Sequence, residues 1–108
     1  MQSKFISLLS IARKAGRLKF GKDAVQENLL NGRAQLVLLA SDISSRSAND
    51  VKKICAEHNA TILELKESMD ALYLGVGKRS GIVCVNDEGF AQKLKLLFEE
   101  SKQEECSL

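Results

Sequence analysis

At 108 residues the chain can build one domain around a single modest core and is too short for two. Its 44% hydrophobic and 28% charged residues match ordinary soluble domains, and no apolar run nears the roughly twenty residues of a spanning helix, so composition excludes a disordered chain and a membrane span. The net charge of +2 hides a gradient, +5 through Phe98 and −3 from Glu99 onward, with six basic residues and no acidic one through Lys22.

Phe5, Leu8, Leu9 and Ala12 fall at i, i+3, i+4 and i+7, which predicts an amphipathic first helix closed near Gly16. Leu18-Lys19-Phe20 reads as a very short strand. Gly21 opens a second helix with Val25 and Leu29 on one face and Gly32 at its end. Leu36 to Ala40 is a continuous apolar run too short for a helix, as expected of a central strand covered on both faces. After the polar Ser41-Asp42, Ser47 and Asp50 form a capping pair before Val51, Ile54, Cys55 and His58 at helical spacing. Thr61 to Leu65 reads as a strand. Ser68 then caps a short helix carrying Met69, Leu72, Tyr73 and Val76, and Ile82 to Val85 reads as a second buried strand. Phe90, Leu94, Leu97 and Phe98 anchor the last helix.

Strands alternating with helices require crossover connections that cover both faces of a sheet. The expected class is therefore α/β, a three-layer α/β/α sandwich with a small mixed sheet of about four strands. One domain is expected over residues 1–102, followed by an acidic tail over residues 103–108, which lacks apolar anchors.

Little in the chain suggests catalysis. Cys55, Cys84 and Cys106 are odd in number with no close pair, so neither a disulfide framework nor a Cys-x-x-Cys zinc site is available, and a cytoplasmic location fits best. Cys84 lies in a buried strand, Cys55 faces the core, and His58 sits near a helix end where an imidazole meets carbonyl groups. Asp87-Glu88 reads as a cap for the last helix before it reads as an acid–base pair. Gly75, Gly77 and Gly81 make neither a Walker loop nor a dinucleotide fingerprint, because a strand and not a helix follows them. No cofactor and no metal are expected. The basic body favours a polyanionic partner, since neutralising phosphates releases counterions and gives sequence-independent affinity.

Leu8-Leu9-Ser10-Ile11-Ala12-Arg13-Lys14-Ala15-Gly16-Arg17-Leu18, Gly21, Leu36-Val37-Leu38-Leu39-Ala40-Ser41-Asp42 and Asn86-Asp87-Glu88-Gly89-Phe90 together resemble the ribosomal-protein 7Ae/30e superfamily, most closely its small bacterial YlxQ-like branch. The likeness spans almost the whole chain. It implies a non-catalytic protein that binds structured RNA at kink-turns or related bent internal loops, with ribosomal RNA and ribosomal proteins as partners.

In such proteins RNA lies against the start of the second helix and the loop before the last strand. Gly21, Lys22 and Asp23 match the first place, where a helix N-terminus offers free amides and the positive end of its dipole to phosphate. Kink-turn readers of the family place an Asn-Glu pair and a lysine one turn later against sheared G·A pairs. The matching positions here hold Asp23, Ala24 and Glu27, a departure from that pattern. Gly77, Lys78, Arg79 and Ser80 match the loop that packs on a flipped-out nucleotide, and an arginine there can stack on a base or grip a phosphate with two hydrogen bonds. Arg13, Lys14, Arg17 and Lys19 form a supporting basic surface. Two other classes stay open: a protein-interaction module that keeps the fold without base reading, and a small enzyme using Cys84 or His58.

Overall fold

The computed structural model describes residues 4–106, with side-chain environments for residues 4–100. The elements are α1 (Lys4–Lys14), β1 (Leu18–Phe20), α2 (Lys22–Leu30), β2 (Leu36–Leu39), α3 (Ser45–Glu57), β3 (Ile62–Glu64), α4 (Met69–Val76), β4 (Ile82–Val85) and α5 (Glu88–Cys106). The four strands form one mixed sheet in the order β1-β4-β2-β3. β4 runs antiparallel to both neighbours, pairing Phe20 and Leu38 with Val83, while β2 and β3 are parallel through Leu38 and Leu63.

Strand alternation divides the core into two halves. Leu36, Leu38, Val83, Val85 and Leu18 turn to the side covered by Phe5, Leu9 and Ala12 of α1, Leu72 and Val76 of α4, and Ala91 and Leu94 of α5. Val37, Leu39, Ile82 and Cys84 turn the other way, against Val25 and Leu29 of α2 and Val51 and Cys55 of α3. These are the three layers. Both apolar runs read as central strands are buried at every strand position, because helices cover both faces of β2 and β4.

Local chemistry sets the element ends. At the end of α1 the amide of Arg17 donates to Ala12 O and that of Gly16 to Arg13 O, a six-residue closure that satisfies two terminal carbonyls. Asp87 Oδ1 accepts from the Gly89 amide and caps α5, the role its sequence position implies. One expectation is corrected. Ser47 and Asp50 do not cap α3; Ser44 does, its hydroxyl accepting from the Ser47 amide at 3.2 Å. The helix starts a turn earlier, at the Ser44 cap, and Ser45 and Arg46 face solvent, so its first turn carries no apolar stripe.

α5 runs on to Cys106, and the side chains of the acidic segment expected over residues 103–108 lie outside the described residues. Among the described residues no helix is long and apolar enough to cross a membrane.

Candidate nucleic-acid interface

β1, β2 and β3 run one way and β4 runs against them, so the ends of the first three strands and the start of the fourth share one end of the sheet. There the two candidate segments meet at a single atom. The carbonyl oxygen of Ile82 accepts both the Gly21 amide at 3.0 Å and the Ser80 hydroxyl at 3.0 Å. Ser80 Oγ also receives the Ile82 amide at 3.3 Å, which tightens the loop onto the strand.

Gly21 is the N-cap of α2, at φ 97° and ψ 163°, and the helix has no side-chain cap. Lys22, Asp23 and Ala24 therefore present the uncapped amides of the first turn, with Lys22 and Asp23 exposed. The orientation of α2 is fixed at its far end by a chain of three bonds. Cys84 Sγ donates to Asn86 Oδ1, Asn86 Nδ2 donates to Asn28 Oδ1 at 2.9 Å, and Asn28 Nδ2 donates to Ala24 O at 2.6 Å. In the sequence Asn28 carries no mark of this role, and Asn86 carries only its place in the family likeness. A polar residue beside an apolar stripe is common to many surface positions.

In the second segment, Gly77 ends α4 in the left-handed region at φ 90°. Arg13 reaches over from α1 and donates from Nη1 to Val76 O at 3.3 Å. A Cβ on Gly77 would stand 3.1 Å from that nitrogen, so the glycine leaves room for the guanidinium. The rim carries both charge signs. Lys22 Nζ lies 3.0 Å from Asp50, and Arg79 Nε lies 3.0 Å from Asp70. Arg13, Lys14, Lys19 and Lys78 are exposed and make no ion pair among the described residues.

The structure thus links the start of α2, Gly21 with Lys22 and Asp23, to Ser80 of the Gly77–Ser80 loop at Ile82 O and Arg13 to the same loop at Val76, while the Arg17 side chain turns toward Asp87. Arg17 precedes β1 at the opposite end of the sheet, where its carbonyl accepts from the Asn86 amide and its Nε lies 3.9 Å from Asp87. Lys19 projects from the face of edge strand β1 opposite to that of Leu18 and Phe20. Beside the interface, a cleft of about 320 Å³ opens between the ends of β2 and β3 and the first turns of α3, lined by Ser41, Ile43, Ser45, Asn49 and Glu64, among others.

The buried thiols offer no nucleophile. Burial pushes Cys84 up from the ordinary 9.0 to about 12, with Cys55 beside it adding to the shift, and burial also raises Cys55. In the unfolded chain the Cys84 thiol gives up its proton near 9.0, whereas the folded protein holds it to about 12. Stability from this site is whole below pH 9.0 and falls as pH rises toward about 12. Iodoacetamide at pH 8, followed by peptide mapping, should label Cys84 only after denaturation; labelling of the folded protein at the same rate would contradict this. His58 is exposed at the C-cap of α3, and among the described residues no three His, Cys, Asp or Glu side chains are grouped to hold a metal.

A sequence model of the ribosomal protein L7Ae/L30e/S12e/Gadd45 family matches residues 3–95. The RNA-binding protein YlxQ of Bacillus subtilis (strain 168) is 36% identical over 92 residues, which is 84% of this chain and 91% of that protein. The RNA-binding protein YlxQ of Enterococcus faecium is 28% identical over 98 residues, covering 91% and 94% of the two chains. A solved structure of a protein with unknown function from Bacillus halodurans C superposes with a TM-score of 0.85 at 27% identity, over 91% of this chain and 99% of that one. With the family match spanning all but the two ends and the sandwich reproduced in three dimensions, the chain belongs to the ribosomal protein L7Ae/L30e/S12e/Gadd45 family, in its YlxQ-like branch.

Proposed function

We propose that the chain binds structured RNA without catalysis, at the sheet end where α2 begins and the Gly77–Ser80 loop precedes β4. The observation that supports this reading is the shared Ile82 carbonyl, which accepts from Gly21 at the uncapped start of α2 and from Ser80, the residue that follows Lys78 and Arg79. Amides with a positive dipole end bind one phosphate, and lysine and arginine on the facing loop bind the next. The relatives named RNA-binding proteins support the same assignment.

The substrate class is RNA with a bend or internal loop, because a site of this shape meets backbone from two directions. The neighbouring cleft is at the lower end of the ~300–1,000 Å³ range of small-ligand pockets, enough for one unstacked base. Ala24 and Glu27 remove the side chains that kink-turn readers use on G·A pairs, so recognition rests on backbone shape and charge. A ribosome-associated role in the cytoplasm, with ribosomal RNA as the partner, is the setting we assign to it.

Replacing Lys78 and Arg79 together by alanine should weaken binding to every RNA tested and lower the slope of log K against log salt by about 1 to 2, at roughly 0.7–0.9 for each phosphate no longer neutralised. Titrating straight and bent duplexes over a salt series measures it. An unchanged slope would remove this loop from the interface. Capture of a ribosomal protein from nuclease-treated extract, with no RNA binding by the purified chain, would favour a protein-interaction module in its place.

A further inference from the structure

Two rim cations of the interface are already engaged. Lys22 Nζ sits 3.0 Å from Asp50 Oδ2, and Arg79 Nε sits 3.0 Å from Asp70 Oδ1. The acids come from other elements: Asp50 projects from the middle of α3 toward the start of α2, and Asp70 lies in the first turn of α4, to which Arg79 folds back. Each pair flanks one of the two segments that meet at Ile82.

We propose that Asp50 and Asp70 set the affinity of the interface by competing with RNA phosphate for Lys22 and Arg79. This rests on the RNA-binding reading above. A phosphate that approaches either cation must displace a carboxylate or share the cation with it. Both pairs are exposed, with side-chain accessibilities of 45% and 46% for the first and 57% and 76% for the second, so the carboxylates leave readily and the competition is graded. Arg13 is held differently. Its guanidinium is anchored on the Val76 carbonyl, which orients it without neutralising it, and its remaining N–H groups stay open to phosphate.

The division has a functional consequence. An RNA that also engages the amides of α2 and the Arg13 fork offsets the cost of displacing two carboxylates, whereas a polyanion that offers charge alone has no other contact to do so. The acids therefore raise the threshold for generic polyanion binding.

Asp50→Asn and Asp70→Asn should each tighten binding to a fluorescein-labelled straight RNA duplex, and to the same duplex interrupted by a bent internal loop. The expected gain is roughly two- to five-fold at low salt, the range for losing one exposed ion pair, with a salt slope steeper by about 0.7–0.9. Pairwise competition is separated from bulk charge by two further variants. In a Lys22→Gln background Asp50→Asn should give no gain, and Glu57→Gln, the same charge change at the far end of α3, should leave affinity unchanged. An equal gain in the Lys22→Gln background or in Glu57→Gln would overturn the proposal, as would no gain from either Asp50→Asn or Asp70→Asn. If Lys22→Gln and Arg79→Gln weaken binding while the aspartate variants change nothing, only the competition fails; if neither cation variant weakens binding, the interface itself is misplaced and both readings fall.

Discussion

Leu38→Ala should destabilise the protein by about 3 kcal/mol, within the ~2–5 kcal/mol spread for a buried leucine truncated in a core. Leu38 is fully buried and sits in the strand with neighbours on both sides, opposite Val83 of β4 and Leu63 of β3. Its side chain packs in the half of the core under α1, α4 and α5, where three helices constrain one another and cannot all move in to refill the space. A domain of this size holds roughly 5–15 kcal/mol in total, so the loss is a large share of the whole. In urea the midpoint should fall with little change in slope, and the melting temperature should drop by roughly 10–20 °C. Leu74→Ala provides the contrast. That leucine is 80% exposed on α4, and its truncation should shift stability by no more than about 0.5 kcal/mol. Equal losses at the two positions would contradict the placement of β2 at the centre.

The centrality of β2 was legible because five consecutive apolar residues, Leu36 to Ala40, can be accommodated only where both faces are covered. The same logic identified Ile82 to Val85. What periodicity cannot carry is pairing. Nothing in those two runs says that β4 inserts antiparallel between β1 and β2, since any two apolar strands satisfy the same burial. The start of α3 was missed for a related reason: a first turn of Ser45, Arg46 and Ser47 is held by the Ser44 hydroxyl and has no apolar period to read.

The candidate site divides in the same way. Gly21 and the Gly77–Ser80 loop were legible as a site only through the family resemblance, and the fold joins Gly21 and Ser80 at one carbonyl. The charges were legible as a run but not as a surface. A run of basic residues through Lys22 suggests one positive patch, yet Arg13 and Arg17, neighbours at the closure of α1, send their side chains to different partners, the Val76 carbonyl and Asp87. Screening was invisible for a simpler reason. Asp50 lies 28 residues from Lys22 and Asp70 lies 9 residues from Arg79, each on a different element, so no local pattern announces either pair.

Gly21→Val should lower both stability and RNA affinity, and the two losses have separable causes. At φ 97° and ψ 163° the residue occupies a region that is essentially closed to side chains with a Cβ, and holding a non-glycine residue there costs about 1–3 kcal/mol. No atom lies within 4 Å of where the Cβ would stand, so the cost is torsional and not a clash. The backbone can escape it only by rotating, which breaks the bond from the Gly21 amide to Ile82 O and swings the first turn of α2 away from the Lys78–Arg79 loop. A valine that stays in place keeps the geometry but adds bulk beside the uncapped amides that a phosphate would approach. Either course weakens binding. The melting temperature should fall by roughly 4–15 °C, and RNA affinity at a temperature where the variant is fully folded should fall as well. Gly32→Ala is the control, because it too has positive φ (70°) and open space around its Cβ but follows α2 at the opposite end of that helix. It should lose a comparable share of stability, about 1–2 kcal/mol, and bind RNA as tightly as the parent protein. Equal affinity losses at Gly21 and Gly32 would mean that the deficit tracks stability alone, and the N-terminus of α2 would then have no place in the interface.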